Sequence, residues 1–178
     1  MEIIPTPMTG LVVLRPKVFL DARGAFLKTF HAGQFRDLGL EFQPAEVFCN
    51  VSHRGVIRGL HFQLPPATQA RLVTCLSGRL LDVMLDLRRN SATYGQIFSR
   101  ELDDASREMI FIPAGFAHGF QALTDNTVML YHASPVHSPA HDTGLHWDSF
   151  GFDWPLAEPV VSGRDLAFPA FADFNSPF

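Results

Sequence analysis

Residues 55–63 read Gly55-Val56-Ile57-Arg58-Gly59-Leu60-His61-Phe62-Gln63, and the character of this stretch decides how the rest of the chain is read. Its apolar and β-branched residues favour a strand, and Pro65-Pro66, just beyond it, cannot continue a hydrogen-bonded ladder. A core strand does not carry Arg58, His61 and Gln63 without a reason, because each is costly to desolvate unless something pairs with it. Strict alternation puts Ile57, Gly59, His61 and Gln63 on one face and Arg58, Leu60 and Phe62 on the other. Gly59 lies between the polar groups, where a bulge re-aims its neighbours. Alone, the stretch fits either an edge strand with a solvated Arg58 and a structural His61, or the wall of a site.

The surrounding chain is built of similar short strands. On the N-terminal side, residues 10–19 and 25–30 flank the turn Asp21-Ala22-Arg23-Gly24 and read as a hairpin with Arg23 near its tip. Residues 31–40 form the helical candidate, with Phe35 and Leu38 on one side and Gly39 as a stop. Residues 42–52 are extended again and lead into the central stretch. On its C-terminal side, residues 71–76 and 79–87 flank Ser77-Gly78 and predict a tight hairpin. In the second arm Leu81, Val83, Leu85 and Leu87 face one way, and Asp82, Met84 and Asp86 the other. Residues 96–101, 109–112, 116–123 and 127–132 complete the series. The tail from Ser134 onward, rich in Pro, His and Phe, is expected to wrap the surface. Many short strands with little helix indicate an all-β protein, a jelly-roll sandwich or barrel with one or two short peripheral helices, in a single domain over residues 1–178.

Composition narrows the function classes. Apolar residues are 47% of the 178, with 17 phenylalanines, which is the make-up of a chain with a real core. The formal charge of −4 gives no general attraction to nucleic acid or an anionic membrane, so a polyanionic ligand has to be held by a local arginine cluster. Cys49 and Cys75 both lie in apolar runs without metal-like or redox-like spacing, and are expected to be buried free thiols in a reducing cytoplasm. No signal-peptide pattern opens the chain and no apolar run approaches membrane-spanning length.

The polar residues that periodicity places on apolar strands are the chemical candidates. His61 and Gln63 belong to the central strand, and Arg71 shares a face with Val73 and Cys75. His118 sits in Pro113-Ala114-Gly115-Phe116-Ala117-His118-Gly119-Phe120, Tyr131 shares a face with Met129, and Asp165 lies in Ser162-Gly163-Arg164-Asp165. In a jelly roll such residues can line one ligand cavity. Each also has a bland reading: a hydrogen-bonded core histidine, an amphipathic core aromatic, a solvated turn acid.

The chain resembles the dTDP-4-dehydrorhamnose 3,5-epimerase family of the cupin superfamily. The matching segments run in order over nearly its whole length: Pro16 through Phe19, Asp21 through Gly24, Asn50 through Ser52, Val56 through Gln63, Gln69 through Val73, Gly78 through Val83, Asp86 through Arg88, Ser91 through Gly95, Ile112 through Phe120, Tyr131, and Trp154-Pro155. The resemblance implies a cupin-type jelly roll and an epimerase, free of metal and cofactor, that inverts C3, C5 or both in a nucleotide-linked 4-keto-6-deoxy sugar. It also implies a homodimer, in some members with the N-terminal hairpin crossing between subunits. His61 matches the base that removes a proton α to the C4 ketone, and Asp165 matches its acidic partner, with Asp82 a second candidate by strand parity. Tyr131 matches the phenol that reprotonates from the other side. Arg71 stands where the family has a lysine facing the oxyanion, and its planar fork is not a conservative replacement for an ammonium. Arg23 and Arg58 match the diphosphate-binding arginines, and His118 a substrate-contacting histidine; Asn50, Gln63 and Arg164 are further expected substrate contacts.

The departures gather at the nucleotide end. Lys28 and Phe48 stand where the family has a glutamate and a glutamine that contact thymine; His137 replaces a base-stacking tyrosine, and Asp142 a glutamate. A lysine cannot accept the hydrogen bond a glutamate accepts. Two rival readings follow. One is a jelly roll that binds sugar nucleotides without catalysis, or uses another nucleotide. The other is a metal-dependent cupin, which would want a histidine where Gln63 stands.

Overall fold

The computed structural model describes residues 1–178, and 14 strands carry the chain. In chain order they are β1 (Glu2–Pro5), β2 (Val12–Arg15), β3 (Val18–Asp21), β4 (Gly24–Leu27), β5 (Glu46–Ser52), β6 (Val56–Gln63) and β7 (Ala70–Ser77). Then come β8 (Arg79–Asp86), β9 (Ile97–Asp103), β10 (Met109–Ile112), β11 (Phe116–Ala122), β12 (Thr127–Ser134), β13 (Asp142–Gly144) and β14 (Val160–Val161). Helix α1 (Ala32–Asp37) follows β4, and α2 (Gly163–Leu166) follows β14. The first sheet has the order β1-β2-β10-β7-β12-β5 and the second β13-β6-β11-β8-β9, with β14 added parallel to β6. The β3–β4 hairpin pairs with neither sheet.

A jelly roll forms because both sheets have apolar inward faces that only each other can cover. The main cluster joins Val13, Val73, Cys75, Ile110, Met129 and Tyr131 of the first sheet to Leu80, Met84, Leu102, Phe116 and Phe120 of the second. The outer faces are covered too. Phe35 of α1 packs with Phe42, Leu14, Leu72, Met109 and Phe111 over the first sheet. Over the second, Leu60, Phe62, Leu85 and Leu87 meet Trp154, Phe171, Phe174 and Phe178 from the C-terminal tail. Each large apolar side chain so buried contributes about 1.5–3 kcal/mol. The leucine row of β8 therefore faces the tail, while Asp82 and Met84 face between the sheets. No helix is long and apolar enough to cross a membrane.

Two expectations fail here. Residues flanking Ser77-Gly78 do not form a hairpin: β7 lies in the first sheet and β8 in the second, so Gly78, at φ +77°, carries the chain from one sheet to the other. An apolar run on each side of a glycine looks the same in either case. Cys75 is a buried free thiol, but Cys49 is exposed, because β5 is the edge of its sheet and only one face of it is covered.

Candidate active site

The central strand carries two polar side chains into one cavity by breaking its own alternation. The pairing of β6 with β11 shifts register between His118 and Phe120, opposite Gly59. Gly59 has φ +131°, and a Cβ there would come 2.5 Å from the Cα of Gly119, so the close approach of the two strands demands glycine. Past this irregularity Arg58 and His61, placed on opposite faces by strict alternation, both line the same cavity. Its volume is about 590 Å³, within the usual range for a small-ligand site.

The tail supplies the partner of His61. β14 covers the outer edge of β6 at Val56 and Ile57, and β13 covers it from His61 to Gln63. In the gap between them the N–H of Gly59 has no strand to donate to, and it donates to Asp165 Oδ2 at 3.1 Å. Asp165 Oδ1 accepts from His61 Nε2 at 2.8 Å. Since a carboxylate only accepts, Nε2 carries a proton, and in the neutral imidazole this leaves the lone pair on Nδ1. Ser162 caps α2, accepting from the Asp165 backbone N–H at 3.1 Å, so the acid sits in the first turn of a short, fixed helix. Burial pushes the Asp165 carboxyl up, but hydrogen bonds from His61, Gly59 and Ser162 outweigh it and hold the group below its usual value. Its side chain is 5% exposed and that of His61 26%, so a buried acid orients a base that reaches the cavity. The solvated turn acid that its sequence context allowed is not what forms.

Asp82, the other acid considered for His61, faces His118 instead. His118 Nε2 donates to Asp82 Oδ1 at 2.6 Å, with both side chains buried, and Asp82 Oδ2 has no partner. Strand pairing decides this, since Phe120 lies opposite Asp82 in the β8–β11 ladder and brings His118 to the same face.

The first sheet forms the opposite wall. Arg71 donates from Nε to Gln69 Oε1 at 2.9 Å and from Nη1 to the backbone carbonyl of His61 at 3.1 Å, so the guanidinium is tied to the base's own strand. Burial lowers its pKa, while Tyr131, Asp142 and Asp82 act in the other direction. Tyr131 is buried, and burial together with Asp82 pushes its phenol well above the usual value, against the pull of Arg71, Asn50 and Arg58. The phenol is therefore neutral, with a proton to give. Arg58 binds only the Ser52 hydroxyl, at 3.0 Å, and the Val51 carbonyl, at 3.2 Å; with no carboxylate neutralising it, its charge is available to an anion.

At the outer end charges pair among themselves. Arg164 Nη2 and His137 Nε2 both reach Asp142 Oδ2, at 2.5 and 3.2 Å, and Glu46 accepts the His137 backbone N–H at 2.7 Å. Phe48 and Asn50 line the cavity beside them. Three candidates stand elsewhere. Gln63 is buried, but its amide is spent on the Ala67 carbonyl at 2.8 Å and the Ser138 N–H at 2.6 Å, so it fixes the loop after β6. Arg23 is 90% exposed at the tip of β3–β4, paired with Asp21, and Lys28 follows the same hairpin; neither lines this chain's cavity. Glu46, Gln69, Ser162 and Phe168, whose ring meets His61 edge-on at 5.7 Å, escaped the sequence reading. For Ser162 a signal existed: Ser162-Gly163-Arg164-Asp165 is a helix-capping pattern. No group of three His, Cys, Asp or Glu side chains stands in metal-binding geometry.

Comparison with known proteins identifies the family. The dTDP-4-dehydrorhamnose 3,5-epimerase family matches residues 5–173. The chain is 42% identical over 167 residues to the dTDP-4-dehydrorhamnose 3,5-epimerase of Methanothermobacter thermautotrophicus, covering 91% of this chain and 90% of that one. It is 37% identical over 168 residues to a dTDP-4-dehydrorhamnose 3-epimerase of Streptomyces niveus, covering 93% and 81%. Among solved structures it resembles the 3,5-epimerase of Legionella pneumophila in complex with dTDP-4-keto-L-rhamnose, with a TM-score of 0.93 and 32% identity over 98% and 94% of the two chains. Fold and sequence agree along almost the entire length, and the chain belongs to the dTDP-4-dehydrorhamnose 3,5-epimerase family.

Proposed function

We propose that this chain epimerises a dTDP-linked 4-keto-6-deoxy sugar, at C3 and in addition at C5, by removing a proton α to the C4 ketone and returning one to the opposite face. The observation that carries the reading is one cavity with the His61–Asp165 pair on one wall and a buried, protonated Tyr131 on the other. His61 Nδ1 takes the proton, and Asp165 stabilises the imidazolium that results. Charge developing on the C4 oxygen meets the N–H groups that Arg71 has left after binding Gln69 and His61. Tyr131 delivers the new proton. Arg58 holds the diphosphate, for which a guanidinium fork is suited. The reaction as written needs neither metal nor cofactor. Relatives named as epimerases support this reading over a non-catalytic binder, and the cytoplasm is where a nucleotide-sugar substrate is to be expected.

The same reading includes a homodimer. The β3–β4 hairpin pairs with no sheet of its own chain and exposes Phe19, Leu20 and Phe26 beside Arg23. Docked on a second copy, it buries those side chains and brings Arg23 and Lys28 to a cavity. The test is solvent deuterium exchange into dTDP-4-dehydro-6-deoxyglucose, followed at C3 and C5, with the GDP, CDP and UDP analogues in parallel. Exchange with inversion at C3 and C5 on the dTDP sugar is the expected result. No exchange with any nucleotide rejects the enzyme reading, and inversion at C3 alone rejects the part assigned to C5.

A further inference from the structure

Phe48 has a place in the site other than the base contact its position in the family implies. On the edge strand β5, Glu46, Phe48 and Asn50 face the cavity while Val47, Cys49 and Val51 face out. Phe48 lies directly opposite Tyr131 in the β5–β12 ladder, and the two rings stack with centroids 4.7 Å apart and planes 8° apart. On another side of Tyr131 the His118 ring stands edge-on at 5.9 Å. The ring of Tyr131 is thus met on two sides. Phe48 is the member that closes the side toward the sheet edge, where the next thing is water: it is 39% exposed, against 6% for Tyr131. A phenyl ring offers no donor or acceptor to a nucleobase, but a stacked pair has a strong preference of geometry.

We propose that Phe48 is a positioning residue: it sets the ring plane of Tyr131, and through it the efficiency with which the enolate is protonated on the inverted face. The inference rests on Tyr131 being the acid of the proposed reaction. It separates two steps that are usually measured together. His61 removes the proton and, after exchange with solvent, can return a deuteron to the same face without Tyr131; inversion requires the phenol. Loss of the stack therefore slows inversion and spares exchange.

The test compares the unaltered protein with Phe48→Ala and Phe48→Tyr, measuring deuterium exchange and inversion on the same dTDP-4-keto sugar. In Phe48→Ala, inversion falls by about tenfold, the scale of one aromatic pair, while exchange stays within about twofold. Phe48→Tyr, which keeps the stack, restores the ratio of the two. Exchange and inversion falling together, or a raised KM with kcat unchanged, overturns the proposal; the second result makes Phe48 a substrate contact. A measurement without substrate accompanies this. Ring protons of Tyr131, assigned against Tyr131→Phe, lie over the face of Phe48 and move downfield in Phe48→Ala; an unmoved signal also overturns the proposal. If the unaltered protein neither exchanges nor inverts the sugar, the role given to Tyr131 falls, and the ring-proton signal still decides whether Phe48 holds it.

Discussion

The two ends of the cavity are held together by different physics. At the inner end His61, Asp165, His118, Asp82 and Tyr131 come from strands or a capped helix, and their partners are fixed by backbone register. Asp165, Asp82 and His118 are each at most 5% exposed on their side chains. At the outer end Arg164 and His137 are about half exposed around Asp142. Charge pairs there are solvated and screened, whereas those inside are desolvated and have few alternatives. The inner end is built for fixed geometry, and the outer end can change its residues without disturbing the chemistry. Of the positions where the resemblance marks a departure, His137 and Asp142 stand at this end.

The contrast can be broken most severely at the base. His61→Ala leaves the proposed reaction without its proton acceptor, and both exchange and inversion fall by roughly 10³-fold with folding intact. Exchange at full rate in that variant contradicts the assignment. Gly59→Ala strikes the same end through the backbone, since its Cβ meets Gly119 and its φ is unfavourable for any side chain. It costs about 3 kcal/mol of stability, seen as a lowered denaturation midpoint, whereas Gly163→Ala, whose Cβ meets nothing, is near neutral.

Acid acts on the buried carboxylates. Asp165 is held below the ordinary aspartate value of 3.8, and so is Asp86, which burial pushes up but Arg88, Thr93 and Ser91 bring down to about 2. A depressed value stabilises the fold fully above 3.8 and loses that contribution as pH falls toward the depressed value, where the folded state must also take up the proton. Asp86, whose side chain is fully buried, accounts for about 2 kcal/mol. Urea titrations between pH 6 and pH 2 show the loss, and Asp86→Asn flattens it.

Changes at the outer end are smaller. Arg58→Ala removes an unneutralised cation from the path of the diphosphate, so KM rises by about tenfold with little change in kcat. Arg164→Gln breaks an exposed pair worth less than about 1 kcal/mol, and its effect shrinks further at high salt. A large, salt-independent loss there means that the outer end is as rigid as the inner.

The all-β jelly roll, the position of the helix and the importance of the Gly55–Gln63 stretch were all legible in the chain. Apolar alternation and turn residues are local properties, and they report which elements form. His61, Arg71, His118 and Tyr131 stood out for the same reason, as polar groups on apolar strands. The alternation misplaced Arg58 relative to His61, because a register shift depends on the neighbouring strand. Gln63 looked like a site residue and is a loop fastener, since only the fold shows which partner a buried amide has found.

Local sequence sets the strands and the stock of reactive groups, because both follow from neighbours a few residues apart. Strand parity left Asp82 open to His61, and the resemblance favoured Asp165; the fold is what pairs each acid with its imidazole. Asp165 reaches His61 across 104 positions because the tail leaves a gap beside β6, and Asp82 goes to His118 because the β8–β11 ladder brings both to one face. A hydrogen bond is chosen by distance and direction in space, and no spacing along the chain encodes either.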